Sequence, residues 1–518
     1  MIEDGHIGKI GNDRDILSAA KRDTPIWDLD GAVVLPGFTD CHTHLVAYGL
    51  QLFDADLRKA RSIPEIQSIL KRQAQNADGK GWVLGHGWDQ EKLREGRFPN
   101  RFDLDAAVPD KPVCITRVCE HVCVINTPGL RLASIDRNTA APTGGVIDHD
   151  EKTREPTGVL RENAMNLVFP LIPPRNDAEV RKAVSLAMQR AVKAGLTSVH
   201  CVVDQAQHVR VLQEMNRAGN LKLRVYLLMS DEWVKLAAQM GIPTGFGDEM
   251  LRIQAVKSFT DGSLGARTAA LQDPYSDAPE TTGVLIHSQE DLNSTVETAA
   301  RHGLQVAIHA IGDRAIGMAL TAIENANLKV SHSDRLRHRI EHASVLNPSL
   351  ISRIKGSKVI ASVQPHFIVS DVWVPDRLGA ERAHHVYPLK SLTRSRATMI
   401  GGSDCPVEPI EPLKGIYAAV ASAPRGYGEC VTAQTAVEMF TKNAAYATHE
   451  EKLKGTIEEG KVADLVVLDE DPFQVPPEDL QSINVLATVV GGRVLYASKR
   501  FRAMKASSEQ RRPVRKRS

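Results

Sequence analysis

Two histidines, His42 and His44, stand one residue apart at the end of an apolar run that begins at Val33. Side chains alternate across a β-strand, so both rings would point to the same face and could chelate one cation. Two histidines at this spacing also occur by chance. The pair alone is therefore a weak indication of a metal site.

Four further residues with metal-binding or proton-transfer chemistry each follow an apolar run: Lys257, His309, His342 and Asp404. Each also has a plainer interpretation. A single histidine is more often a hydrogen-bonded residue of the core or surface, Asp404 could cap a helix, and Lys257 could extend its ammonium group to solvent. Their significance depends on whether the fold brings them together.

The runs that carry these residues have the pattern of strands in a parallel sheet. Eight short runs rich in β-branched residues alternate with helical patterns, and several are almost continuously apolar, as strands covered on both faces are. The runs are 33–44, 197–202, 221–228, 252–259, 304–310, 337–344, 358–365 and 397–404. Eight strands favour closure over an open sheet, so we predict an α/β fold, a (β/α)8 barrel of the TIM type.

All six candidate residues fall at the carboxyl ends of predicted strands, the rim where barrel active sites assemble. Imidazoles and a carboxylate suit a divalent transition metal, zinc foremost, and the sequence leaves open whether one or two ions are bound per subunit. Open coordination positions would leave a water bound and acidified towards neutrality, which is the chemistry of a hydrolase.

The barrel is predicted to occupy residues 36–452 and to contain an insertion. The gap between the first two predicted strands is too long for one crossover, so we expect a cap-like insert at about 62–165. Helices are predicted over 63–75 and 177–194. Segments 1–35 and 453–498 are β-rich and predict a small β-sandwich domain built from both termini. The basic stretch 499–518 is expected to be a disordered, solvated tail.

Composition excludes several classes of protein. The 518 residues carry a formal net charge of +1, so no overall field attracts nucleic acid or membranes. Seven cysteines without CxxC spacing indicate neither a disulfide framework nor a zinc ribbon. No signal-peptide pattern and no long uncharged apolar run is present. We therefore expect a cytoplasmic protein that acts on a small molecule, and leave open whether it forms a homo-oligomer.

Six motifs together resemble the amidohydrolase superfamily, and within it the YtcJ-like branch, amidohydrolase family 3. They are LPGFTDCHTH at 35–44, KSFTDGSLGART at 257–268, IHAIGD at 308–313, IEH at 340–342, GSDCPVE at 402–408 and GKVADLVVL at 460–468. The resemblance covers nearly the whole chain. It implies that the metal-binding residues are His42, His44, Lys257, His309, His342 and Asp404, with the lysine carboxylated on its amine.

The carboxylated lysine that the resemblance implies is chemically reasonable. An ammonium group has no lone pair for a cation, whereas a carbamate on Lys257 would supply an anionic bridge between two metals. A single ion held by His42, His44, His309 and Asp404 is the alternative.

The mechanism that follows is hydrolysis by a metal-activated hydroxide, with Asp404 as both ligand and catalytic acid/base. No serine or cysteine nucleophile is needed. Cys41 and Cys405, which stand beside ligands, are interpreted as small packing residues.

Substrate choice is expected to lie in the loops and the insert. By the same resemblance, the segments around His86, Trp88 and His121 look like parts of the substrate pocket. Here Cys119 and Glu120 replace the Asp-Gly that usually precedes the histidine matched by His121. A second departure is at the start, where family members normally have another strand or two before the turn matched by Asp4-Gly5. The small β-sandwich is therefore expected to be incomplete.

Three functions compete. The first is hydrolysis of non-peptide carbon–nitrogen bonds, such as amides, N-substituted formamides or cyclic amides. The same barrel could instead hydrolyse esters or phosphotriesters, because fold does not determine substrate. A non-catalytic regulatory relative would be expected to lose ligands, and all six are present. Nucleotide binding is disfavoured because no GxxxxGK[ST] motif occurs.

Overall fold

The computed structural model describes residues 1–21, 23–76, 81–421 and 428–510. They form a barrel, a sheet inserted into it and a smaller sheet beside it. Across these ranges, every helix is too short or too polar to cross a bilayer.

The strands are numbered here in chain order. They are β1 (Ile2–Glu3), β2 (His6–Ile7), β3 (Val33–Pro36), β4 (Phe38–Thr43), β5 (Ala55–Asp56), β6 (Val83–Trp88), β7 (Val113–Arg117), β8 (Val122–Ile125), β9 (Gly145–His149), β10 (Pro156–Glu162), β11 (Leu196–Val203), β12 (Arg224–Ser230), β13 (Leu251–Phe259), β14 (Gln305–Ala310), β15 (Arg339–His342), β16 (Ile360–Val363), β17 (Met399–Gly401), β18 (Leu465–Leu468), β19 (Val485–Val490) and β20 (Arg493–Ala497).

The α-helices follow the same numbering. They are α1 (Asp13–Ala19), α2 (Leu45–Gln51), α3 (Ile63–Asn76), α4 (Arg101–Asp105), α5 (Thr127–Leu132), α6 (Asp177–Lys193), α7 (Ala206–Arg217), α8 (Val234–Gln239), α9 (Gln289–Arg301), α10 (Asp313–Lys329), α11 (Pro348–Gly356), α12 (Phe367–Ser370), α13 (Val374–Ala383), α14 (Leu389–Ser395), α15 (Pro412–Val420), α16 (Ala433–Met439), α17 (Lys442–Ala447) and α18 (Lys499–Gln510). The helices predicted over 63–75 and 177–194 correspond to α3 and α6.

Eight parallel strands form the barrel, in the order β4-β11-β12-β13-β14-β15-β16-β17. The sheet closes where Thr43 forms a parallel bridge with Cys405. Beside this bridge the amide of Asp404 donates to the carbonyl oxygen of His42 at 2.8 Å. Every residue of β4, β14, β15 and β16 is buried, as expected of strands inside a closed α/β fold. The predicted barrel and its eight strands are confirmed.

The first predicted strand is in fact two strands in different sheets. β3 pairs antiparallel with β18, whereas β4 pairs parallel with β11. They separate at Gly37, where an added Cβ would lie only 2.2 Å from Cγ2 of Thr197. Glycine is therefore required for the close approach to β11. The single strand predicted over 33–44 was wrong here because the apolar sequence continues across the change of sheet.

Segments near both ends of the described chain form the smaller sheet, in the order β20-β19-β18-β3. Separately, β1 and β2 form a hairpin through Asp4 and Gly5, whose φ values of 48° and 82° suit a two-residue turn. The amide of Ile7 donates to the carbonyl oxygen of Lys461 at 2.7 Å and joins this hairpin to the C-terminal segment. A two-layer sandwich stays a prediction.

The insert contains a six-stranded sheet in the order β5-β6-β7-β8-β10-β9. It spans 55–162 and has a hydrophobic core of its own, in which Trp88, Ile115 and Val124 are fully buried. The insert is thus a folded unit. Its long return to the barrel runs through α6, whose first turn is closed by a reciprocal capping box between Asn176 and Glu179.

The C-terminal stretch differs from its prediction over the part that the structure describes. Residues Lys499–Gln510 form α18, and Phe501 and Met504 are buried against the outer face of the smaller sheet. Trp27 packs edge-on against Phe501, with ring centroids 5.5 Å apart. Two apolar anchors within a basic sequence explain why this part is not a solvated tail. The cluster of arginines from Arg511 onward lies outside the described residues.

Candidate active site

His42, His44 and Asp404 form the tightest group of candidate ligands. Nε2 of His42 lies 3.4 Å from Oδ1 of Asp404, and Nε2 of His44 lies 3.3 Å from the same oxygen. One ligand atom from each residue lies within 4.8 Å of the other two. Two ligands bound about 2 Å from a tetrahedral zinc ion are separated by about 3.3 Å. The observed separations therefore fit the ligands of one ion.

His309 and His342 form a second group beside the first. Their ring centroids are 4.4 Å apart, and the ring of His342 is 5.1 Å from that of His42. Nε2 of His309 lies 3.1 Å from the carbonyl oxygen of Gly262. A carbonyl can only accept, so Nε2 carries the proton and Nδ1 keeps its lone pair. This tautomer leaves Nδ1 of His309 as a potential ligand.

Lys257 is buried next to both groups. Its Nζ has no hydrogen-bond partner among the described residues. Its charge acts on His42 and His44 in one group and on His309 and His342 in the other. Burial lowers the pKa of Lys257 to about 8, which brings the neutral amine within reach of physiological pH. The structure thus brings the predicted metal-binding residues together.

The centre fits a divalent cation. Within the described part of the chain, Nε2 of His42, Nδ1 of His342 and Nζ of Lys257 are buried without a hydrogen-bond partner. A buried polar atom left unsatisfied costs about 1–3 kcal/mol. Burial also lowers the pKa of His42 and lowers that of His342 to about 3, which keeps both rings neutral. Neutral imidazole nitrogens that lack a partner are suitable metal ligands.

Glu341 fixes the ring of His42 from behind. Its carboxylate accepts a hydrogen bond from Nδ1 of His42 and another from Ser362 Oγ at 2.7 Å. The guanidinium of Arg339 donates to both carboxylate oxygens, at 2.8 and 2.9 Å, and both charged residues are fully buried. Because Nδ1 of His42 carries the proton that it donates in the hydrogen bond to Glu341, Nε2 of His42 keeps its lone pair towards Asp404.

Two ligands have backbone conformations that are costly for residues other than glycine. The φ angle is 71° at His342 and 57° at Asp404. Such left-handed conformations cost about 1 kcal/mol or more per residue. Near Asp404 the backbone is held because Oδ1 of Asp40 accepts from the amides of His42 and Ser403, at 3.2 and 2.9 Å. Backbone strain of this kind clusters at functional sites.

The centre opens into a cavity of about 870 Å³ that is lined by the barrel and by the insert. The insert contributes His121 to its lining, and the ring of His121 lies 5.2 Å from that of His309. Nδ1 of His121 is 2.7 Å from Oε2 of Glu162. Burial alone would lower the pKa of His121, but the charge and hydrogen bond of Glu162 raise it to about 9. A cationic imidazole therefore faces the centre at neutral pH.

His86 and Trp88, which were predicted to bind substrate, do not line this cavity. The ring of His86 donates to the carbonyl oxygen of Gln51 at 3.1 Å. Trp88 is fully buried, donates to the carbonyl oxygen of Ile115 at 3.2 Å and packs edge-on against Phe98. His86 thus joins the insert to α2 and Trp88 packs in the core of the insert, so their assignment to the pocket is corrected. Of the three predicted substrate contacts, only His121 reaches the cavity.

Three acidic residues of the site were not predicted: Glu120, Glu162 and Glu341. Glu341 directly precedes His342 in the sequence, and a carboxylate beside a ligand histidine is a usable signal for a residue that orients ligands. Glu162 pairs with a histidine 41 positions away and has no local signal. Glu120 was noted only as a departure from the usual motif.

The sequence matches the model of the amidohydrolase family over residues 26–496. The Bacillus subtilis protein YtcJ, whose name assigns it to the amidohydrolases, is 35% identical over 514 residues, which cover 96% of this chain and 95% of YtcJ. The chain therefore belongs to the amidohydrolase family, as its motifs predicted.

Two further comparisons agree with this assignment. An N-substituted formamide deformylase of Arthrobacter pascens is 27% identical over 517 residues, covering 96% of this chain and 94% of that protein. The crystal structure of an uncharacterized metal-dependent hydrolase from Pyrococcus horikoshii is similar with a TM-score of 0.74 and 34% identity, covering 92% of this chain and 94% of that one. Family and fold together identify a hydrolase.

Proposed function

We propose that this protein is a metal-dependent hydrolase that cleaves a non-peptide carbon–nitrogen bond in a small molecule. The bond would be that of an amide, an N-substituted formamide or a cyclic amide. The convergence of His42, His44 and Asp404 with unpartnered buried nitrogens carries the proposal. The similarity to a formamide deformylase supports this class of bond.

In this proposal the centre holds zinc, with two ions bridged by a carboxylated Lys257. The position of Lys257 beside both ligand groups favours a bridge, and its lowered pKa favours the neutral amine that would react with carbon dioxide. A single ion is the alternative. Growth or reconstitution with ¹³C-bicarbonate should give one labelled carbamate signal by NMR, which Lys257→Met should abolish. Two bound ions without that signal would contradict the bridge.

A divalent cation bound here supplies an acidified water and polarises the scissile carbonyl group. Asp404 accepts the proton of the attacking water as the carbon–oxygen bond forms. It then delivers this proton to the nitrogen as the carbon–nitrogen bond breaks, so that an acid and an amine leave. Burial would raise the pKa of Asp404, but its hydrogen bond with His44 and the nearby histidines hold the pKa well below its usual range. Asp404 is thus ionised at neutral pH, the form that a general base requires.

The insert acts in this proposal as a cap over the substrate. His121 belongs to the insert and lines the cavity beside the barrel residue His309, with the two ring centroids 5.2 Å apart. As a cation it can donate a hydrogen bond to the oxygen that becomes negative in the transition state. Removal of one such donor typically lowers kcat by about 100- to 1,000-fold.

The decisive experiment combines metal analysis of the purified protein with a panel of amides, formamides, cyclic amides, esters and phosphotriesters. We expect one or two equivalents of zinc and turnover of the carbon–nitrogen substrates. Asp404→Asn should abolish most of this turnover, while Asp479→Asn, at an exposed position outside the cavity, should retain it. Preference for esters or phosphotriesters would overturn the bond class. Metal-free, inactive protein would support a regulatory role instead.

A further inference from the structure

Glu120 is an acidic residue of the cavity interior that has no part in the mechanism above. It lines the same cavity as the ligands, and its charge acts on His44, His121 and Asp404. Its carboxylate oxygen is not among the ligand atoms that lie within 4.8 Å of one another. Glu120 is therefore placed to meet a substrate beside the metal centre rather than to bind the metal.

Glu120 has a strained backbone conformation and a hydrogen-bonded side chain. Its φ angle is 61°, a left-handed value that costs a non-glycine residue about 1 kcal/mol or more. Nε2 of Gln51 in α2 donates a hydrogen bond to Oε1 of Glu120. A neutral amide thus orients the carboxylate without neutralising it. No ion pair joins Glu120 to a lysine or arginine in the ranges that the structure describes.

Carboxylates predominate among the charged side chains around the cavity, in which His121 is a cation paired with Glu162. Apart from the predicted ligands, its lining contains five carboxylates and, over the described residues, no lysine or arginine: Glu120, Glu162, Asp204, Asp231 and Glu232. Glu162 is paired with His121, and Asp231 lies 3.5 Å from His287. Asp204 and Glu232 are exposed at the rim, which leaves Glu120 as the interior carboxylate that no salt bridge joins to another residue over the described ranges, although the charges of His44 and His121 act on it. A cleft in which one sign of charge predominates concentrates ligands of the other sign.

We propose that Glu120 binds a protonated amine, amidinium or guanidinium group of the substrate, so that the site selects cationic amides. The amide in this inference rests on the proposed function. The recognition of a cation by Glu120 rests only on the side chains that line the cavity. A carboxylate pairs with such a group through charge-assisted hydrogen bonds, which are about twice as strong as neutral ones. An anionic substrate would meet the same carboxylates and be repelled.

Binding of two probes to the zinc-loaded protein tests this directly. Benzamidine and benzamide have nearly the same shape, and only benzamidine is cationic at neutral pH. We expect isothermal titration calorimetry to show at least about 10-fold tighter binding of benzamidine, as one charge-assisted contact would give. Glu120→Gln should remove this preference, and Gln51→Met, which removes the orienting amide, should weaken it. Glu290→Gln, an equal change of charge on α9, should preserve it.

Equal binding of both probes to the wild type would overturn the inference, as would an unchanged preference in Glu120→Gln. Loss of zinc in Glu120→Gln would also overturn it, because Glu120 would then serve the metal centre. A kinetic arm compares one amide scaffold with and without an ammonium group. Absence of amide hydrolysis with a preserved benzamidine preference would reject the proposed function and leave the role of Glu120 standing.

Discussion

The tautomer of a buried histidine in this protein is determined by its hydrogen-bond partner and not by the residue type alone. His42 and His309 are both buried histidines, but each is fixed in one tautomer by what its other nitrogen contacts: the carboxylate of Glu341 for His42 and the carbonyl oxygen of Gly262 for His309. The free lone pair of each ring then points into the centre. A ligand set is therefore defined by the residues behind it as much as by the ligands.

Glu341→Gln tests this support of a ligand. The change leaves Arg339 buried without its anion and weakens the hold on Nδ1 of His42. We expect zinc affinity to fall about 10- to 100-fold and the free energy of unfolding to fall by about 3–5 kcal/mol. Chelator competition and denaturant titration measure the two effects. Ser362→Ala removes one neutral hydrogen bond to the same carboxylate and should cost about 1 kcal/mol; equal effects of the two variants would contradict this account.

The His121–Glu162 pair predicts the alkaline side of the pH profile. His121 loses its proton near pH 9, so kcat/KM should decline above that pH. In Glu162→Gln the charge that raises the pKa is absent and burial, which lowers it, prevails. The decline should therefore begin at a pH lower by about one unit or more, measured from kcat/KM against pH at constant ionic strength. His121→Asn should lack this limb, and a limb that stays in place in Glu162→Gln would exclude His121 as its source.

The sequence was sufficient to find the residues that converge in the site and insufficient to predict their surroundings. His42, His309 and Asp404 could be found because each follows an apolar strand, and parallel strands deliver their carboxyl ends to one rim. His86 and Trp88 also occur in segments that resemble a substrate pocket. Their spatial neighbours, however, hold their side chains away from the cavity. Glu162 meets His121 only through the pairing of β10 with β8. Contacts of that kind depend on register, which no local pattern specifies.

Among the elements, β4 and the loop after β17 position the centre together. The backbone at Gly402 passes so close to β4 that an added Cβ would lie 2.7 Å from the amide nitrogen of His42. A shift of either segment would therefore displace His42 or Asp404. The close contact between Gly402 and β4 therefore fixes both the packing of these two segments and the positions of His42 and Asp404.

Gly402→Ala should reduce both zinc content and activity, although residue 402 contributes no side chain to the centre. The added methyl group must push the backbone of His42 away from Asp404, and a misplacement of about 1 Å can cost 100-fold in rate. Metal analysis and kcat/KM measure the effect. Gly356→Ala, at the end of α11 where nothing lies within 4 Å of the new Cβ, should leave both unchanged. Normal zinc content in Gly402→Ala would contradict this reasoning.

Helices and strands could be predicted where the apolar pattern was long. The predicted boundaries of a strand were wrong where one apolar run continued from one sheet into another. The apolar run over 33–44 serves the smaller sheet up to Pro36 and the barrel from Phe38. Only the space beside Thr197 marks the division. In α18 the reverse occurred, because a basic sequence concealed Phe501 and Met504 as anchors.

In the whole molecule, one end of the barrel carries the candidate active site and the other end contacts the C-terminal segment. The carboxyl ends of the strands hold the ligands. At the amino ends, Arg224 of β12 makes two hydrogen bonds to Asp464, at 2.7 and 3.1 Å, and Lys454 donates to Ser198 Oγ of β11 at 2.7 Å. These buried contacts join the C-terminal segment to the amino-terminal end of the barrel, the end that contributes to stability rather than to catalysis.

Asp464→Asn tests that joint. Arg224 would lose its buried anion, and the amide of Gly491 would lose part of an acceptor now 2.8 Å away. We expect the free energy of unfolding to fall by about 3–5 kcal/mol while zinc content per folded protein is kept. Thermal denaturation and metal analysis provide the readouts. Glu470→Gln, at an exposed position of the same segment, serves as the control, and an equal loss of stability in both variants would contradict the role of this ion pair.

The pairing of β3 with β18 has a consequence for the newly made chain. Val33–Pro36 leaves the ribosome early, but its partner Leu465–Leu468 is synthesised roughly 400 residues later. At roughly 5–20 residues per second, this apolar edge waits about 20 to 90 seconds for its partner. An unpaired edge of this kind is prone to wrong association. Expression yield should therefore depend on how well chaperones shield the nascent N-terminal segment.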